Sequence, residues 1–320
     1  MIKKNKKILK LIEDIMEPET AGDPMGKSLN WTRKSTYSLS ETLKTNGVSI
    51  SPNTAGNALK TLGYSLRSNR KSISTTQHPD RDQQFRHIGS KVKEFEDMGQ
   101  PIISVDTKKK EMIGNFKNKG RKYDKEPEKT MDHDFLSHAI GKIAPYGIYE
   151  KLTNKGTVVI GTSSETPEFA VDAIETWLTG IAYKRYHRIK KLLILCDSGG
   201  SNGYRKHGWK YFLYTKLSSI YGIDIQVCHY PSGSSKWNPI EHKMFSFISK
   251  NWEGVPLRSY EVAMNYIEST TTSTGLAIQA FLNEKEYQSG RNFNKSEVEN
   301  TIKIRRDEIL PQWNYSILSS

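Results

Sequence analysis

Two acidic residues stand where carboxylates could do chemistry. Asp106 ends the apolar run IISVD, and Asp197 ends the apolar run KKLLILCD. Short continuous apolar runs of this kind are typical of buried central strands. In open α/β sheets the reactive groups gather at the carboxyl ends of the strands. If the two strands are neighbours, we expect the two carboxylates to lie side by side at one edge of the sheet.

A third acid, Glu241, follows in the sequence Asn238-Pro239-Ile240-Glu241. This order predicts the start of a helix, with Asn238 as the N-cap and proline at the first helical position. The same pattern is also a capping box, in which Glu241 would only close the start of the helix. Because Glu241 comes one strand and one loop after Asp197, we favour a role as a ligand.

Carboxylates held close together repel one another unless a cation lies between them. Hard oxygen ligands suit Mg²⁺, or Mn²⁺ as a substitute, rather than zinc. Two such ions about 3.5 to 4 Å apart can activate a water or a 3′-hydroxyl and stabilise the leaving oxygen of a displacement at phosphorus. We therefore predict that Asp106, Asp197 and Glu241 are both the catalytic residues and the metal ligands, with two Mg²⁺ ions as cofactor.

Other polar clusters are weaker candidates for a metal site. Asp132, His133 and Asp134 form a dense group, but no predicted strand presents them, and a solvated loop is the favoured interpretation. His229 and His242 flank the loop before the third acid, without the ligand spacing of a zinc site. We expect these two histidines to face DNA or to be structural.

Residues next to the acids have plausible supporting roles. The glycine-rich stretch 197–203 lacks the GK[ST] ending of a phosphate-binding P-loop, so its glycines give backbone room beside Asp197. Ser201 or Asn202 is expected to cap the helix that follows. After the first acid come three lysines that either contact phosphates or form a solvated turn: Lys108, Lys109 and Lys110.

The elements around these residues predict the fold class. Strands alternate with amphipathic helices from residue 99 onward, which indicates a mixed α/β sheet covered by helices on both faces. After residue 256 the sequence predicts a helix in SYEVAMNYIES and a last charged helix around 295–309. Before residue 99, the stretch 81–98 predicts a linker helix with apolar residues about one turn apart.

The N-terminal part is strongly basic. The whole chain carries a net charge of +13, and residues 24–79 contain eight lysines or arginines and one acid. Such a field attracts polyanions, above all the phosphate backbone of nucleic acid. An acidic membrane surface, or a merely solvated basic face, would fit the charge equally well.

A helical pattern in this basic part suggests how DNA would be bound. TYSLSETL is followed by Asn-Gly and then by SPNTAGNALKTLGY, which predicts two short helices joined by a tight turn. This is the pattern of a helix-turn-helix, although an ordinary helical hairpin has it as well. In a helix-turn-helix the second helix enters the major groove, which would place four of its residues at the DNA: Asn53, Thr54, Asn57 and Lys60.

Composition sets the remaining expectations. The chain has two cysteines, without metal or redox spacing, and we expect both to be reduced thiols in the core. We find neither a signal peptide nor an apolar run as long as a membrane span. A soluble, cytoplasmic protein without a membrane partner is therefore expected.

Three blocks of the sequence resemble a known family. VDTKKKEMIGNFKNKGR, CDSGGSNGYR and PSGSSKWNPIEHKMFSFIS are similar to the three acid-bearing blocks of bacterial insertion-sequence transposases, specifically the ISAzo group with the Rhodopirellula-type DDE domain. The likeness extends from about residue 17 to residue 315 and places the three acids at Asp106, Asp197 and Glu241.

This resemblance implies an RNase H-like domain with a mixed five-stranded sheet, preceded by an all-α helix-turn-helix domain. We divide the chain accordingly into a DNA-binding region (1–80), a linker helix (81–98), the catalytic domain (99–256) and a C-terminal extension packing on it (257–320). Since family members usually extend further at the N-terminus, we expect an N-terminally truncated copy.

The same resemblance implies a function. It is divalent-metal-dependent strand cleavage and strand transfer at the ends of an insertion sequence, by a homo-oligomer on double-stranded DNA near the bacterial nucleoid. The DNA partners would be the terminal inverted repeats and the target. Two alternatives stay open: a catalytically inactive truncated copy that binds element ends and represses, and a nuclease of the same fold that hydrolyses but never joins.

Overall fold

The chain folds as two units, residues 1–73 and residues 74–320. In this computed structural model the described residues are 6–16, 20–21, 31–32, 35–66, 78–234 and 237–320. Part of the region predicted to bind DNA, including residues 67–77, lies outside them. No helix in these ranges is both long enough and apolar enough to cross a membrane.

In its described residues, the first unit has three helices and a short antiparallel pair of strands. They are α1 (Lys6–Met16), β1 (Thr20–Ala21), β2 (Trp31–Thr32), α2 (Thr36–Thr45) and α3 (Pro52–Thr61). The helices share a small apolar core built from residues spaced three or four positions apart. Its fully or almost fully buried members are Ile12, Met16, Leu39, Leu43, Ala55 and Ala58.

Local chemistry accounts for the two predicted helices of this unit. The Ser51 hydroxyl accepts a hydrogen bond from the backbone N–H of Thr54 at 3.2 Å, and Pro52 occupies the first helical position. Between α2 and α3, Gly47 adopts a φ of +79°, which an L side chain rarely tolerates. The predicted helix, turn and helix are therefore present.

The second unit is built on a nine-stranded mixed sheet within the described residues. The strands are β3 (Ile102–Thr107), β4 (Glu111–Ile113), β5 (Gly141–Glu150), β6 (Lys155–Gly161), β7 (Lys191–Cys196), β8 (Asp224–His229), β9 (Ala277–Asn283), β10 (Ile304–Arg306) and β11 (Asn314–Ile317). Their order is β10-β11-β8-β7-β3-β5-β6-β9, and β4 pairs with β5. Strands β3, β7 and β8 run parallel to one another, while β5 is antiparallel to β3.

Helices cover both faces of this sheet. They are α4 (Arg81–Asp97), α5 (Pro167–Trp177), α6 (Tyr183–Arg185), α7 (His207–Phe212), α8 (Ser219–Tyr221), α9 (Ser246–Asn251), α10 (Tyr260–Glu268) and α11 (Lys295–Thr301). Three π-helical turns join or precede them: Leu178–Ala182, Leu213–Ser218 and Glu241–Phe245. A 3-10 turn, Leu136–His138, lies before β5.

The two faces have different cores because successive strand residues point to opposite sides. On one face Ile103, Val105 and Ile194 pack with α5 and α7, including Trp177 and Trp209. On the other face, α4 covers β3 and β7, and α10 packs with the helix that follows residue 238. The helix at 81–97, expected as a linker, therefore packs against the sheet of the second unit.

Two expectations about the fold are corrected. The sheet is mixed and flanked by helices, as expected, but it has nine strands where five were implied. The last charged helix ends at Thr301 and is followed by a strand, where the sequence suggested a helix to residue 309. Strands β10 and β11 have three and four residues, too few to show a periodicity, and only their pairing beside β8 makes them strands.

Candidate active site

Asp106 and Asp197 lie next to each other at the carboxyl ends of adjacent parallel strands. In the register of β3 and β7, Val105 pairs with Cys196. Asp106 is the next residue after Val105, and Asp197 directly follows Cys196, the last residue of β7. Neighbouring strands are about 4.7 to 4.9 Å apart. Since Val105 and Cys196 both belong to the core on the α5 face, the two acids point to the opposite face. Both line one cavity of about 700 Å³.

Glu241 comes to the same place from the helix on that face. Its carboxyl is near enough to Asp106 to raise the pKa of that acid, and its charge also acts on Asp197. Glu241 itself lines a neighbouring cavity together with Lys108 and Lys109. Within the helix, Glu241 begins the π-helical turn that leads into α9. Glu241 is therefore close to both other acids, which favours the role as a ligand over that of a capping box.

The environment raises the pKa of two of these carboxyls. Burial, followed by the negative charges of Asp197 and Glu241, raises the pKa of Asp106 to about 8, against a hydrogen bond from the Thr107 backbone N–H at 2.8 Å. Burial also raises the pKa of Asp197 to about 6; the Glu241 charge adds to this, and a hydrogen bond from Asn238 opposes it. Holding these carboxyls together therefore costs the folded protein free energy.

Asn238 is a member of the site that the sequence did not suggest. It was expected as an N-cap, but its side chain is fully buried and its amide Nδ2 donates to Asp197 Oδ1 at 3.1 Å. The amide oxygen accepts from the hydroxyl of Ser104, on the strand that carries Asp106. Asn238 therefore ties the helix of the third acid to the strands of the first two. Its place three residues before Glu241 was the available signal.

His229 contacts the backbone of Asp197 from the core. The buried ring lies with Nδ1 3.0 Å from the backbone oxygen of Asp197 and Nε2 3.1 Å from the hydroxyl of Tyr315. Burial lowers the pKa of His229 to about 4, so the ring is neutral at pH 7. Nδ1 then donates to the carbonyl, and the tyrosine hydroxyl donates to Nε2. Of the two roles expected for His229, the structure shows the structural one; His242 is exposed.

The three lysines after the first acid differ from one another. Lys108 is buried, with its ammonium 3.2 Å from Glu111 and 4.4 Å from the centre of the Trp252 ring. Burial lowers the pKa of Lys108. Lys109 and Lys110 are exposed, and Lys110 lies 3.5 Å from Glu165.

The remaining candidates are placed as follows. The cluster Asp132, His133 and Asp134 lies in an exposed loop between β4 and β5, as expected. The predicted cap by Ser201 or Asn202 is wrong, because α7 begins only at His207. Both residues are instead buried close to Asp197 in the chain, where the loop turns back on itself.

The site has polar atoms left without partners. Within the described residues, three buried polar atoms near the acids have no hydrogen-bond partner: Thr107 Oγ1, Ser201 Oγ and Asn202 Nδ2. Thr107 and Asn202 line the same cavity as Asp106 and Asp197. Buried polar groups are usually satisfied, so these atoms are available to hydrogen-bond water or a bound group.

The carboxyls fit a divalent cation in their chemistry, though not yet in their arrangement. Hard oxygen donors and mutual repulsion are the properties that such an ion requires. In the described part of the chain, however, no three His, Cys, Asp or Glu side chains are grouped so that they could hold a metal ion as they stand. Binding a shared ion would require the carboxyl side chains to turn toward one another.

The solved structures to which the chain shows similarity include transposase complexes. The Mos1 transposase paired-end complex with left transposon end has 12% identity and a TM-score of 0.42, over 81% of this chain and 69% of that chain. The Mos1 mariner paired end complex with Mn (13%, 0.41) and the mariner Mos1 paired end complex with Mg (11%, 0.43) are similar over the same shares. No curated protein sequence matches the chain.

The amino-acid sequence itself matches one family over nearly its whole length. The model of this family covers residues 11–319 and so includes all three acids, the helix of Asn238 and the C-terminal strands. The chain therefore belongs to the family of the Rhodopirellula transposase DDE domain.

Proposed function

We propose that this protein is a DNA transposase that cuts and joins DNA strands by divalent-metal-dependent phosphoryl transfer. The observation that carries the proposal is the position of Asp106 and Asp197 at the ends of adjacent parallel strands, with Glu241 near enough on the neighbouring helix for its charge to act on both. We assign these residues as the catalytic carboxylates and as the ligands of two Mg²⁺ ions, with Mn²⁺ as a substitute. The five central strands, β8-β7-β3-β5-β6, would form the RNase H-like core.

The ions, when bound, would activate the attacking water or 3′-hydroxyl and stabilise the leaving oxygen. The chain's own residues supply placement. Asn238 orients the Asp197 carboxyl and favours its ionised form. Thr107 and Asn202 present unpartnered polar atoms on the cavity wall, where the Asn202 amide can donate to a phosphate oxygen.

The first unit supplies the proposed contact with double-stranded DNA. Asn53, Asn57 and Lys60 are exposed on α3, and Thr54 is partly exposed beside them. These side chains are not part of the unit's core, so they are accessible for contacts with base edges in a DNA groove. An Asn57→Ala change should cost about 1 to 3 kcal/mol of preference for the correct base, and Lys60→Ala should weaken binding to all sequences alike.

The test uses the DNA on either side of the gene. If inverted repeats are found there, duplexes carrying them serve as substrate for nicking and joining with Mg²⁺ or Mn²⁺. The Asp106→Asn, Asp197→Asn and Glu241→Gln variants should each lose both reactions but keep binding in EDTA. Asp132→Asn, in the exposed loop, is the matched control and should keep activity.

Three outcomes separate the proposal from its rivals. Metal-dependent nicking followed by joining of a 3′-hydroxyl end to target DNA supports the transposase. Nicking without joining would indicate a nuclease of the same fold. Binding of the repeats without nicking in either metal would indicate an inactive, repressing copy. Joined products that bridge two element ends would in addition support a homo-oligomer on DNA.

A further inference from the structure

The cavity lined by Asp106 and Asp197 continues away from them along the second unit. A second cavity, of about 360 Å³, shares Glu165, Arg205 and Lys206 with the first one. It is closed on its far side by the loop that contains Arg291, ahead of α11. A continuous groove therefore leads from Asp106 and Asp197 past the start of α7 to that loop.

Three exposed cations line this groove, and we call them the basic track: Arg205, Lys206 and Arg291. In the part of the chain that the structure describes, none of the three is in an ion pair. The acids in the wall of the groove are already paired with other lysines. Glu165 lies 3.5 Å from Lys110, and Glu168 pairs with Lys216, in the π-helical turn after α7, and with Lys285, just after β9. The positive charge of the track is therefore left for a partner from outside.

Aromatic rings hold the two guanidinium groups in place. The guanidinium carbon of Arg291 lies 4.9 Å from the centre of the Phe293 ring and 5.6 Å from that of Phe212. The guanidinium carbon of Arg205 lies 5.2 Å from the Tyr204 ring centre, and its Nε donates to the Tyr204 hydroxyl at 2.9 Å. Stacking limits the freedom of these side chains, so less entropy is lost when they bind an anion.

We propose that the basic track binds the sugar-phosphate backbone of the DNA strand whose reacting phosphate lies at the acids. Planar guanidinium groups and a lysine ammonium are the donors that recognise phosphate. Their place in a groove continuous with the acids selects a strand passing through, because a free phosphate needs only one such group. The inference rests on the proposed function, and it adds the path of the substrate.

The test measures how salt affects DNA binding to the full chain. Arg205→Gln, Lys206→Gln and Arg291→Gln remove the charge but keep most of the side-chain length. Binding of a labelled oligonucleotide, single-stranded and duplex, is followed by fluorescence anisotropy at several salt concentrations in EDTA. Each variant should lower the slope of log K against log salt by about 0.7 for single strands or 0.9 for duplex, and the triple variant by about 2 to 3.

Matched controls lie at the opposite end of β7, the strand that leads to Asp197. Arg188 and Lys190 are exposed and precede β7, so they are separated from Asp197 by about 20 Å of strand. Arg188→Gln and Lys190→Gln should leave the slope unchanged. In a second readout without substitutions, DNA should protect Lys206 from acetylation, measured by mass spectrometry, while Lys190 stays reactive.

The outcomes are decisive in both directions. A triple variant whose salt slope equals that of the controls, or a Lys206 that DNA does not protect, would overturn the basic track. Because binding is measured in EDTA, the result does not depend on catalysis. If the triple variant has a lower salt slope but the parent protein never nicks DNA, the basic track is supported and the proposed function is wrong. If the parent nicks DNA normally and the salt slope of the triple variant is unchanged, only the basic track is wrong.

Discussion

At the scale of single residues, the unusual feature is a carboxyl that prefers to be protonated near neutral pH. In the unfolded chain Asp106 ionises near its ordinary pKa of 3.8, whereas the folded protein keeps its proton up to about pH 8. The folded state thus binds more protons than the unfolded state between these two values. Its stability must fall as the pH rises through that window, because the raised pKa belongs to an acid.

Asp106→Asn removes this penalty. In EDTA at pH 8.5 to 9 the variant should be more stable than the parent, by roughly 1 to 3 kcal/mol, while at pH 4 the two should be alike. Denaturant unfolding across this pH range checks the prediction. Asp132→Asn, at an exposed position, is the control, and its stability relative to the parent should not change with pH in this way. A constant difference between Asp106→Asn and the parent at all pH values would contradict the account.

Asn238 gives a second prediction at this scale. Asn238→Ala removes the hydrogen bond that favours ionised Asp197, so the pKa of Asp197 should rise further above 6. The Mg²⁺ concentration needed for half-maximal nicking should increase about 10- to 100-fold, as for other residues that orient metal ligands. Raising the pH should restore part of the loss, because it ionises the carboxyl again.

A merely structural role for Asn238 would give a different result. Activity would then fall equally at every pH, without a change in the Mg²⁺ requirement. Asn251→Ala serves as the control, because its side chain bonds to Tyr266 and to Thr270 on the far side of α9. That variant should leave the Mg²⁺ requirement unchanged.

At the scale of elements, the C-terminal strand β11 completes the part of the sheet beneath the acids. It pairs with β8, and Tyr315 is fully buried with its hydroxyl on His229. Tyr315→Phe should cost about 1 kcal/mol of unfolding free energy, the net value of one hydrogen bond. Tyr315→Ala should cost about 3 to 5 kcal/mol, because it also leaves a cavity.

Chemical denaturation of both variants measures these values. Equal losses in the two variants would mean that the hydroxyl, and not the packing of the ring, holds the strand. A negligible loss in Tyr315→Ala would show that β11 does not stabilise the sheet. Either result would contradict a structural role of the C-terminal region that depends on the packing of this ring.

At the scale of the whole molecule, the two units have separate cores. The core of the first unit consists of residues up to Tyr64, and the three apolar clusters of the second unit begin at Phe85. A fragment of residues 74–320 should therefore fold without the first unit. Hydrogen exchange should show the same protection of β3 and β7 in the fragment as in the full chain. Loss of that protection would mean that the second unit depends on the first.

The sequence by itself determined the features that depend on neighbouring residues. The apolar runs before Asp106 and Asp197 became buried strands, and Ser51 and Pro52 started α3, because each pattern acts over a few residues. The family was also readable from the three acid-bearing blocks. Local patterns and motif similarity need no knowledge of which strands become neighbours.

Only the tertiary structure decided what depends on distant pairing. The strands β9 and β11 form at the edges that β6 and β8 offer, and β10 forms beside β11; short or alternating sequences carry little sign of such pairing. Asn238 looked like a helix cap, yet the folded protein brings the Asp197 carboxyl within 3.1 Å of its amide. A buried amide must find hydrogen-bond partners, and those of Asn238 come from residues more than thirty positions away in the chain. A local sequence pattern does not show such contacts, so it indicated only the preference of asparagine for a helix cap.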